Sequence, residues 1–326
     1  MRLQNSQSRP VPARFDPFLG DTQLRHGYQL LLSASWDELT QLLEGDPESW
    51  LLQSILTSDD AAVETVVFER LSDARPSARS LSLLGGAQVR DALALLDHGG
   101  PMNGTRSPAR DQAETHLLEA ESTLQQAVRL RPALADPWVH LLVSGRLLGI
   151  DLPELRARFE NAHSRVPFRP DACREYLFGL SSRGGGSDAA MFEFARWVTL
   201  ESDLDSPARV VMPMAHLEFG MGETTRVSMT DHLAMERTVD ELGPALSTFL
   251  ENTSTQAGPA DLLTLNAFGL AMTVNNSATA HLVQECFRRI DNRPTSYPWS
   301  LYQDEEIPSV FAEVQRTQLR SVARFL

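Results

Sequence analysis

The chain has 326 residues, of which 42% are hydrophobic and 7% aromatic, and its formal net charge is −14. This charge disfavours non-specific attraction to nucleic acid and to anionic lipid, so neither is an expected partner. All 29 basic residues are arginines, because the sequence contains no lysine. Schiff-base catalysis, a Walker-type phosphate loop and a protein-kinase active site each need a lysine and are excluded.

The distribution of hydrophobic residues predicts a cytoplasmic protein that does not bind membranes. No hydrophobic run approaches the ~20 residues of a membrane-spanning helix, and none follows Arg2 as it would in a secretory signal. Cys173 and Cys286 form no CxxC pair, so we expect both thiols to stay reduced and buried. No motif requires a cofactor, and none is predicted.

Helical patterns begin after residues 1–20, a proline-containing segment that we expect to be a flexible tail. Asp21 is placed to cap a first helix that carries Leu24, Tyr28 and Leu31 at spacings of four and three. A second helix is predicted from Trp36 to Gly45, because glycine commonly ends a helix.

Further helices are predicted within an N-terminal helical block at residues 21–98. Asp46 and Pro47 are typical of a helix start, and apolar spacing continues over residues 63–71. Another helical stretch, at residues 81–96, is predicted to be interrupted at Gly85 and Gly86. Residues 99–110 contain several helix breakers and predict a loop that separates this block from residues 111–326.

The clearest architectural signal is a repeated spacing. Five positions recur 35 residues later, so that Leu124, Ala127, Pro132, Trp138 and Leu141 are followed by Phe159, Ala162, Pro167, Cys173 and Tyr176. Self-similarity at this period is typical of stacked helical hairpins, in which small residues let two helices approach and proline ends the second helix.

Over about residues 110–220 this pattern resembles the tetratricopeptide repeat, in divergent form. Ala120, Leu124, Ala127 and Pro132 match the family's second helix and exit, whereas Leu142 replaces its usual glycine and the period is 35 rather than 34. The segment from Gly184 to Arg196 is similar to a stretch of uncharacterised bacterial helical-repeat proteins. Both resemblances imply an all-α fold of stacked antiparallel hairpins, a curved or closed α-solenoid.

The C-terminal part continues with helical patterns and no sustained alternation that would predict a strand. Helices are predicted at residues 207–219, 232–250, 262–274, 278–290 and 310–325. Gly258-Pro259 and Asn275-Asn276 are the expected breaks, and residues 292–298 are expected to be irregular. Val310, Val314 and Leu319 are candidate core contacts of the last helix.

Candidate metal and phosphate sites each have a structural alternative. Asp60 and Glu64, which follow Asp59, share one helix face and could hold Mg²⁺, but acidic residues also favour the first turn of any helix. Gly184 to Gly186 could suggest a phosphate-binding loop, but no predicted strand comes before them. We therefore interpret them as a turn before a helix capped by Ser187.

His216 is the one candidate for acid–base catalysis. It lies in an apolar helix and could act as an acid or base in a pocket, or it could be a core histidine with a satisfied hydrogen bond. The histidines show no zinc-binding spacing on a helix, and no nucleophile elbow is present.

A helical-repeat fold also predicts a concave surface lined by the first helix of each hairpin. The register places six candidate binding residues there: Val143, Arg146, Arg174, Phe178, Met212 and His216. Arginines among apolar residues could bind a carboxylate of a peptide or small molecule. The alternative is that Arg146 and Arg174 pair with local acids such as Glu175.

The leading hypothesis is a non-enzymatic scaffold or binding module of a bacterial cytoplasm that holds a protein or peptide in this groove. The alternative is an unusual tailoring enzyme of secondary metabolism, with a pocket around His216 lined by Met212, Phe178 and Trp197. A third hypothesis is a partner that stabilises another enzyme through an exposed apolar patch at residues 310–325.

Overall fold

The computed structural model describes residues 16–45, 50, 53–54, 76–96, 107–222, 227–273, 278–301 and 307–320. In these ranges every regular secondary-structure element is a helix and there is no β-strand, which confirms the all-α prediction. None of the helices found there is long and apolar enough to cross a lipid bilayer.

The helices are numbered in chain order over the described ranges. They are α1 (Thr22–Leu32), α2 (Trp36–Gly45), α3 (Ala78–Leu95), α4 (Pro108–Leu130), α5 (Asp136–Leu148), α6 (Leu152–His163), α7 (Pro170–Leu180), α8 (Asp188–Glu201), α9 (Val211–Gly220), α10 (Met229–Ala234), α11 (Glu236–Asn252), α12 (Pro259–Ala271), α13 (Ala280–Ile290), α14 (Ser296–Trp299) and α15 (Ile307–Arg320).

The first two helices form as predicted and pack against distant parts of the chain. The Asp21 carboxylate accepts hydrogen bonds from the backbone N–H groups of Gln23 and Leu24, and α2 begins at Trp36. Buried leucines of both helices form a cluster with Leu83 of α3 and Ala260 of α12. The N-terminal helices therefore contact the C-terminal half directly. The predicted features at residues 1–15, at Asp46 and Pro47 and at residues 63–71 lie outside the described residues.

Helix α3 runs without a break through Gly85 and Gly86, so the predicted interruption is wrong. The reason is the packing of α3 against α4. A Cβ atom at Gly85 would lie 2.5 Å from Cδ2 of the fully buried Leu124. Glycine is thus used for close helix approach, and this packing compensates for its low helix propensity.

The loop predicted at residues 99–110 ends earlier than expected. Helix α4 begins at Pro108, because the Ser107 hydroxyl accepts a hydrogen bond from the Arg110 backbone N–H and proline suits the first helical turn. Residues 97–106 lie outside the described part of the chain. Helix α4 then packs along α3 and α5, which joins the N-terminal block to the repeat region.

Eight of the ten residues of the 35-residue repeat are buried or half-buried, as expected for packing residues, whereas Pro132 and Pro167 are exposed. Leu124, Ala127, Ala162 and Cys173 are fully buried, and Phe159 stacks on Tyr176 with ring centroids 4.5 Å apart. Helix α5 packs against α6 and α7, and α7 packs against α8 and α9. Helix α7 therefore contacts both α5 and α9.

The C-terminal helices differ from the predicted spans at their ends. The helix predicted over residues 232–250 is two helices, α10 and α11, because Met235 has an extended backbone. Helix α12 starts at Pro259, which is part of the predicted break and lies three residues before the predicted start at 262. Residues 292–298 include part of the short helix α14. Trp299 anchors α14, because its indole N–H donates to Asn266 Oδ1 at 2.6 Å in the core.

The last helix, α15, packs on the core through Val310 and Phe311, and Val314 is half-buried. The side chain of Leu319 and residues 321–326 lie outside the described part. The hypothesis of a docking patch on this helix is therefore weakened at Val310, which faces the protein's own core.

A buried charge network fixes how the N-terminal block meets the repeat region. Asp136, at the start of α5, lies 2.9 Å from Arg79 Nη1 of α3 and 2.5 Å from Arg169 Nη1, and its side chain is 2% exposed. Arg169 also binds both carboxylate oxygens of Asp171, at the start of α7. Burial alone raises the pKa of Asp136, but the guanidinium groups of Arg169 and Arg79 outweigh it and hold the pKa below its usual range.

The substitution Asp136→Asn is expected to destabilise the protein by about 3–5 kcal/mol, because it leaves one buried guanidinium charge uncompensated. The measurement is urea denaturation followed by circular dichroism. Glu160→Gln is the matched control, since Glu160 pairs with Arg156 on the exposed side of α6 and its loss should leave the stability nearly unchanged. Equal losses in the two variants would contradict a structural role for the buried network.

Candidate functional site

Three of the six predicted groove residues meet in a cluster of charged and aromatic side chains, termed here the arginine cluster. It draws on α5, α7, the turn after α7, α9 and α14. Its members are Arg146, Arg174, Glu175, Phe178, Arg183, Glu218 and Tyr297.

Glu175 is the centre of one half of the arginine cluster. Its Oε2 accepts from Arg146 Nε at 3.2 Å and Nη2 at 2.9 Å, and its Oε1 accepts from Arg174 Nε at 3.1 Å. Burial raises the pKa of Glu175, but the charges of Arg146 and Arg174 outweigh this effect and lower it below its usual value. Arg146 and Arg174 thus pair with a local acid, the alternative that the sequence left open.

Glu218 organises the other half of the cluster. Its carboxylate accepts from Arg183 Nη1 at 3.2 Å and from the Ser181 hydroxyl at 3.1 Å. Across from it, the Tyr297 ring lies 6.2 Å from the Phe178 ring, and its hydroxyl is buried without a hydrogen-bond partner. Burial and then the negative charge of Glu218 raise the pKa of Tyr297 above its usual value, so the hydroxyl keeps its proton.

Two arginines of the cluster keep unused hydrogen-bond donors. Arg174 and Arg183 have side chains 33% and 38% exposed, and each donates from a single nitrogen. Arg169, by contrast, donates from Nε, Nη1 and Nη2 to two carboxylates in the core. The guanidinium fork favours bidentate contact with a carboxylate, so Arg174 and Arg183 are equipped to bind another anion.

The other three predicted groove residues lie elsewhere. Val143 packs half-buried against the cluster of α3 and α4. Met212 and His216 are buried rather than on an accessible inner face, because α12 packs over α9 and over the 3₁₀ turn at Pro207–Val210 that precedes it. Other helices of the protein thus cover part of the surface that the repeat spacing predicted to be an accessible groove.

His216 takes part in a second arrangement, termed here the histidine relay. Its Nε2 lies 3.2 Å from Glu241 Oε2 of α11, and its Nδ1 lies 3.0 Å from His232 Nε2 of α10. Arg196 of α8 holds the other side of Glu241, with Nε 2.6 Å from Oε1. The hydrogen bond from His216 is the largest of the effects that lower the pKa of Glu241 to about 2.

The hydrogen bond to Glu241 places one proton on His216. Because an ionised carboxylate only accepts, His216 donates from Nε2 to Glu241. When this ring is neutral, its Nδ1 accepts from His232 Nε2. His232 Nδ1 is then an unprotonated lone pair, buried and without a partner. Burial, followed by the proximity of His216 and Arg237, lowers the pKa of His232 to about 4, so this ring is neutral at pH 7.

The pocket that the sequence suggested around His216 does not have the expected lining. Phe192 covers the His216 ring at 4.9 Å, and Phe219 covers His232 at 4.5 Å. Phe178 instead faces Tyr297, and Trp197 packs against Phe159, His163, Phe168 and Phe194. The reason is that α7 and α8 present these two side chains to different neighbours.

The remaining candidates do not add to these sites. Asp59, Asp60 and Glu64 lie outside the described residues. Within the described ranges, no group of three or more His, Cys, Asp or Glu side chains is arranged to hold a metal ion. Cys173 and Cys286 are free and buried, as predicted, and burial raises the pKa of both thiols.

Sequence reasoning missed Arg183, Glu218, Tyr297, His232 and Glu241 as site residues. Arg183 follows the end of α7 by three residues, and this proximity to Arg174 and Phe178 is the one local signal that could have included it. Glu241 and His232 lie 25 and 16 residues from His216, on helices whose packing the spacing does not encode.

No protein-family model matches the chain, and neither does a curated protein or a solved structure. The chemistry of the arginine cluster and of the histidine relay is therefore the basis for interpreting function.

The stability of the protein is expected to fall between pH 6.5 and pH 4. Burial is the main cause that lowers the pKa of both His140 and His232 from 6.5 to about 4. In this window the unfolded chain binds a proton at each histidine and the folded protein does not, so the free energy of unfolding decreases as pH falls. Each histidine is expected to contribute roughly 1–3 kcal/mol to this decrease.

The measurement is urea denaturation at a series of pH values between 4 and 7.5. His140→Gln and His232→Gln should each flatten the dependence, and the exposed His281→Gln is the matched control. If the pH dependence of the unfolding free energy is unchanged in the variant that carries both substitutions, the assignment to these two rings is refuted.

Proposed function

We propose that the protein is a non-enzymatic binding module that holds a protein or peptide segment by a carboxylate group. The observation that carries this proposal is the set of unused N–H donors on Arg174 and Arg183 near the unpartnered hydroxyl of Tyr297. A small carboxylic acid is a ligand of the same chemistry.

The proposed scaffold is a divergent tetratricopeptide-like stack. The adjacency of α5, α7 and α9 supports it, since first helices of successive hairpins are neighbours in such a stack. The packing of the N-terminal leucines against Ala260 of α12 supports a closed rather than an open stack. In this arrangement the arginine cluster lies between the row of first helices and α14.

The charges of the arginine cluster favour an anionic ligand. Three guanidinium groups face two carboxylates, Glu175 and Glu218, which leaves a local excess of one positive charge on a chain of net charge −14. The buried hydroxyl of Tyr297 can donate to the same ligand. An unpartnered buried hydroxyl costs roughly 1–3 kcal/mol, and a carboxylate oxygen placed near it would recover that energy.

The test uses three arrays of synthetic heptapeptides at the same concentrations: neutral peptides with a free C-terminal carboxylate, the same peptides as C-terminal amides, and amides that contain one glutamate. We expect saturable binding to members of the first or third array and none to the neutral amides. Arg174→Gln and Arg183→Gln should each weaken binding about tenfold, as expected for the loss of charge-assisted hydrogen bonds.

Two further variants separate binding from folding. Tyr297→Phe should weaken binding severalfold without lowering stability, because the hydroxyl has no partner in the free protein. Arg156→Gln, on the exposed side of α6, should bind as the unmodified protein does. The proposal fails if no carboxylate-bearing peptide binds saturably, or if both cluster variants keep full affinity.

A second candidate function is an enzyme that uses acid–base chemistry, and the histidine relay is the observation that favours it. The free Nδ1 of His232 could accept a proton from a substrate, while Glu241 stabilises the positive charge that forms on the two rings. Screening metabolites for a raised melting temperature would identify ligands to assay for turnover. For an enzyme of this kind, His232→Gln should lower turnover by about 10²–10⁴ and keep the fold; unchanged turnover would exclude the relay.

A further inference from the structure

A stripe of exposed hydrophobic side chains follows α8 and continues past its C-terminal end, and we call it the α8 stripe. It consists of Val166, Trp197, Leu200 and Leu204, which are 41%, 38%, 79% and 52% exposed. Large apolar side chains at such exposure cost free energy in water unless another surface covers them.

Trp197 of the α8 stripe packs against aromatic side chains of the protein. Trp197 and Leu200 lie three residues apart and so share a face of α8. The Trp197 ring packs 5.7 Å from Phe194 and 5.3 Å from Phe168, which is two residues after Val166. Trp197 is therefore a rigid, half-exposed aromatic side chain, the kind of residue that commonly anchors a protein interface.

Acidic residues flank the stripe. Glu193 and Glu201 lie four residues before and after Trp197 on α8, and Asp203 and Asp205 lie on either side of Leu204. All four are exposed, and no described arginine forms an ion pair with any of them. The surface thus combines apolar side chains with exposed carboxylates.

A cavity of about 360 Å³ adjoins the stripe at Leu204 and has three carboxylates in its wall, from Asp203, Asp205 and Asp261. The two nearby arginines have other hydrogen-bond partners: Arg209 donates to the backbone carbonyls of Ser202 and Asp203, and Arg289 donates to the Thr253 carbonyl and pairs with Glu285. Burial, and to a lesser extent the charge of Asp205, raise the pKa of Asp261 above its usual value. A cation in this cavity would relieve that repulsion.

We propose that the α8 stripe and the acidic cavity together bind a basic amphipathic segment of a partner protein. Its apolar side chains cover Trp197, Leu200 and Leu204, and one of its arginines or lysines enters the cavity. Charge complementarity selects this occupant, because nucleic acid and anionic lipid are repelled by the flanking carboxylates and a second copy of this chain carries the same charge of −14. The surface is separate from the arginine cluster and prefers a ligand of opposite charge.

The probe is a fluorescein-labelled, 18-residue amphipathic peptide of leucines and arginines, and its matched control has glutamate at every arginine position. Fluorescence anisotropy with the full chain should give saturable binding of the arginine peptide only. Affinity should fall as salt rises from 50 to 300 mM, since salt screens charges at an exposed interface.

Variants of the full chain then locate the peptide. Leu200→Ser and the double variant Asp203→Asn/Asp205→Asn should each weaken binding about tenfold, and the double variant should also show a smaller dependence on salt. Leu118→Ser, at a similarly exposed leucine of α4, is the matched control and should bind normally. Arg174→Gln should bind normally too, which separates this proposal from that of the arginine cluster.

Two results would overturn the proposal. One is binding of the arginine peptide that Leu200→Ser leaves unchanged, since this outcome indicates general electrostatic attraction to an acidic protein. The other is equal affinity for the arginine and glutamate peptides, or no saturable binding of either.

Discussion

A carboxylate buried between two guanidinium groups sets the geometry on which the arginine cluster depends. Asp136 is the first residue of α5, and Asp171 lies in the first turn of α7, so Arg169 ties the starts of both helices together. With their starts fixed, the same helices place Arg146 and Glu175 side by side further along. Arg79 adds α3 to this unit, and its second contact, to the Leu43 carbonyl, adds α2.

A chain without lysine uses arginine for two different tasks. Arg79 and Arg169 are buried and form ion pairs with carboxylates in the core. Because these guanidinium groups are shielded from water, the loss of a carboxylate partner would be strongly destabilising. Arg174 and Arg183 are partly exposed and keep donors free. The difference is one of burial and hydrogen-bond count rather than residue type, which is why the arginines could not be sorted by inspection of the sequence.

The two proposed binding surfaces and the histidine relay have distinct chemistry and distinct locations. In the two proposals the arginine cluster binds a carboxylate and the α8 stripe binds a basic apolar segment, whereas the relay consists of two buried, hydrogen-bonded imidazoles. Helix α8 connects the last two, because Arg196 holds Glu241 of the relay on one side and Trp197 faces the stripe on the other. A partner bound along α8 would therefore contact the helix that positions the relay.

The sequence alone determined the features that depend on residues a few positions apart. Caps at Asp21 and Ser187 and the small buried residues Ala127 and Ala162 follow from hydrogen bonds and spacings within one or two helical turns. It also predicted that Arg146, Arg174 and Phe178 share one groove, and the helices that carry them, α5 and α7, are in contact. Tertiary structure decided the rest: that α3 continues through Gly85 because Leu124 packs there, and that Arg79 meets Asp136 across 57 residues. His216 likewise finds Glu241 and His232 on two other helices, and such contacts depend on helix packing that no local spacing specifies.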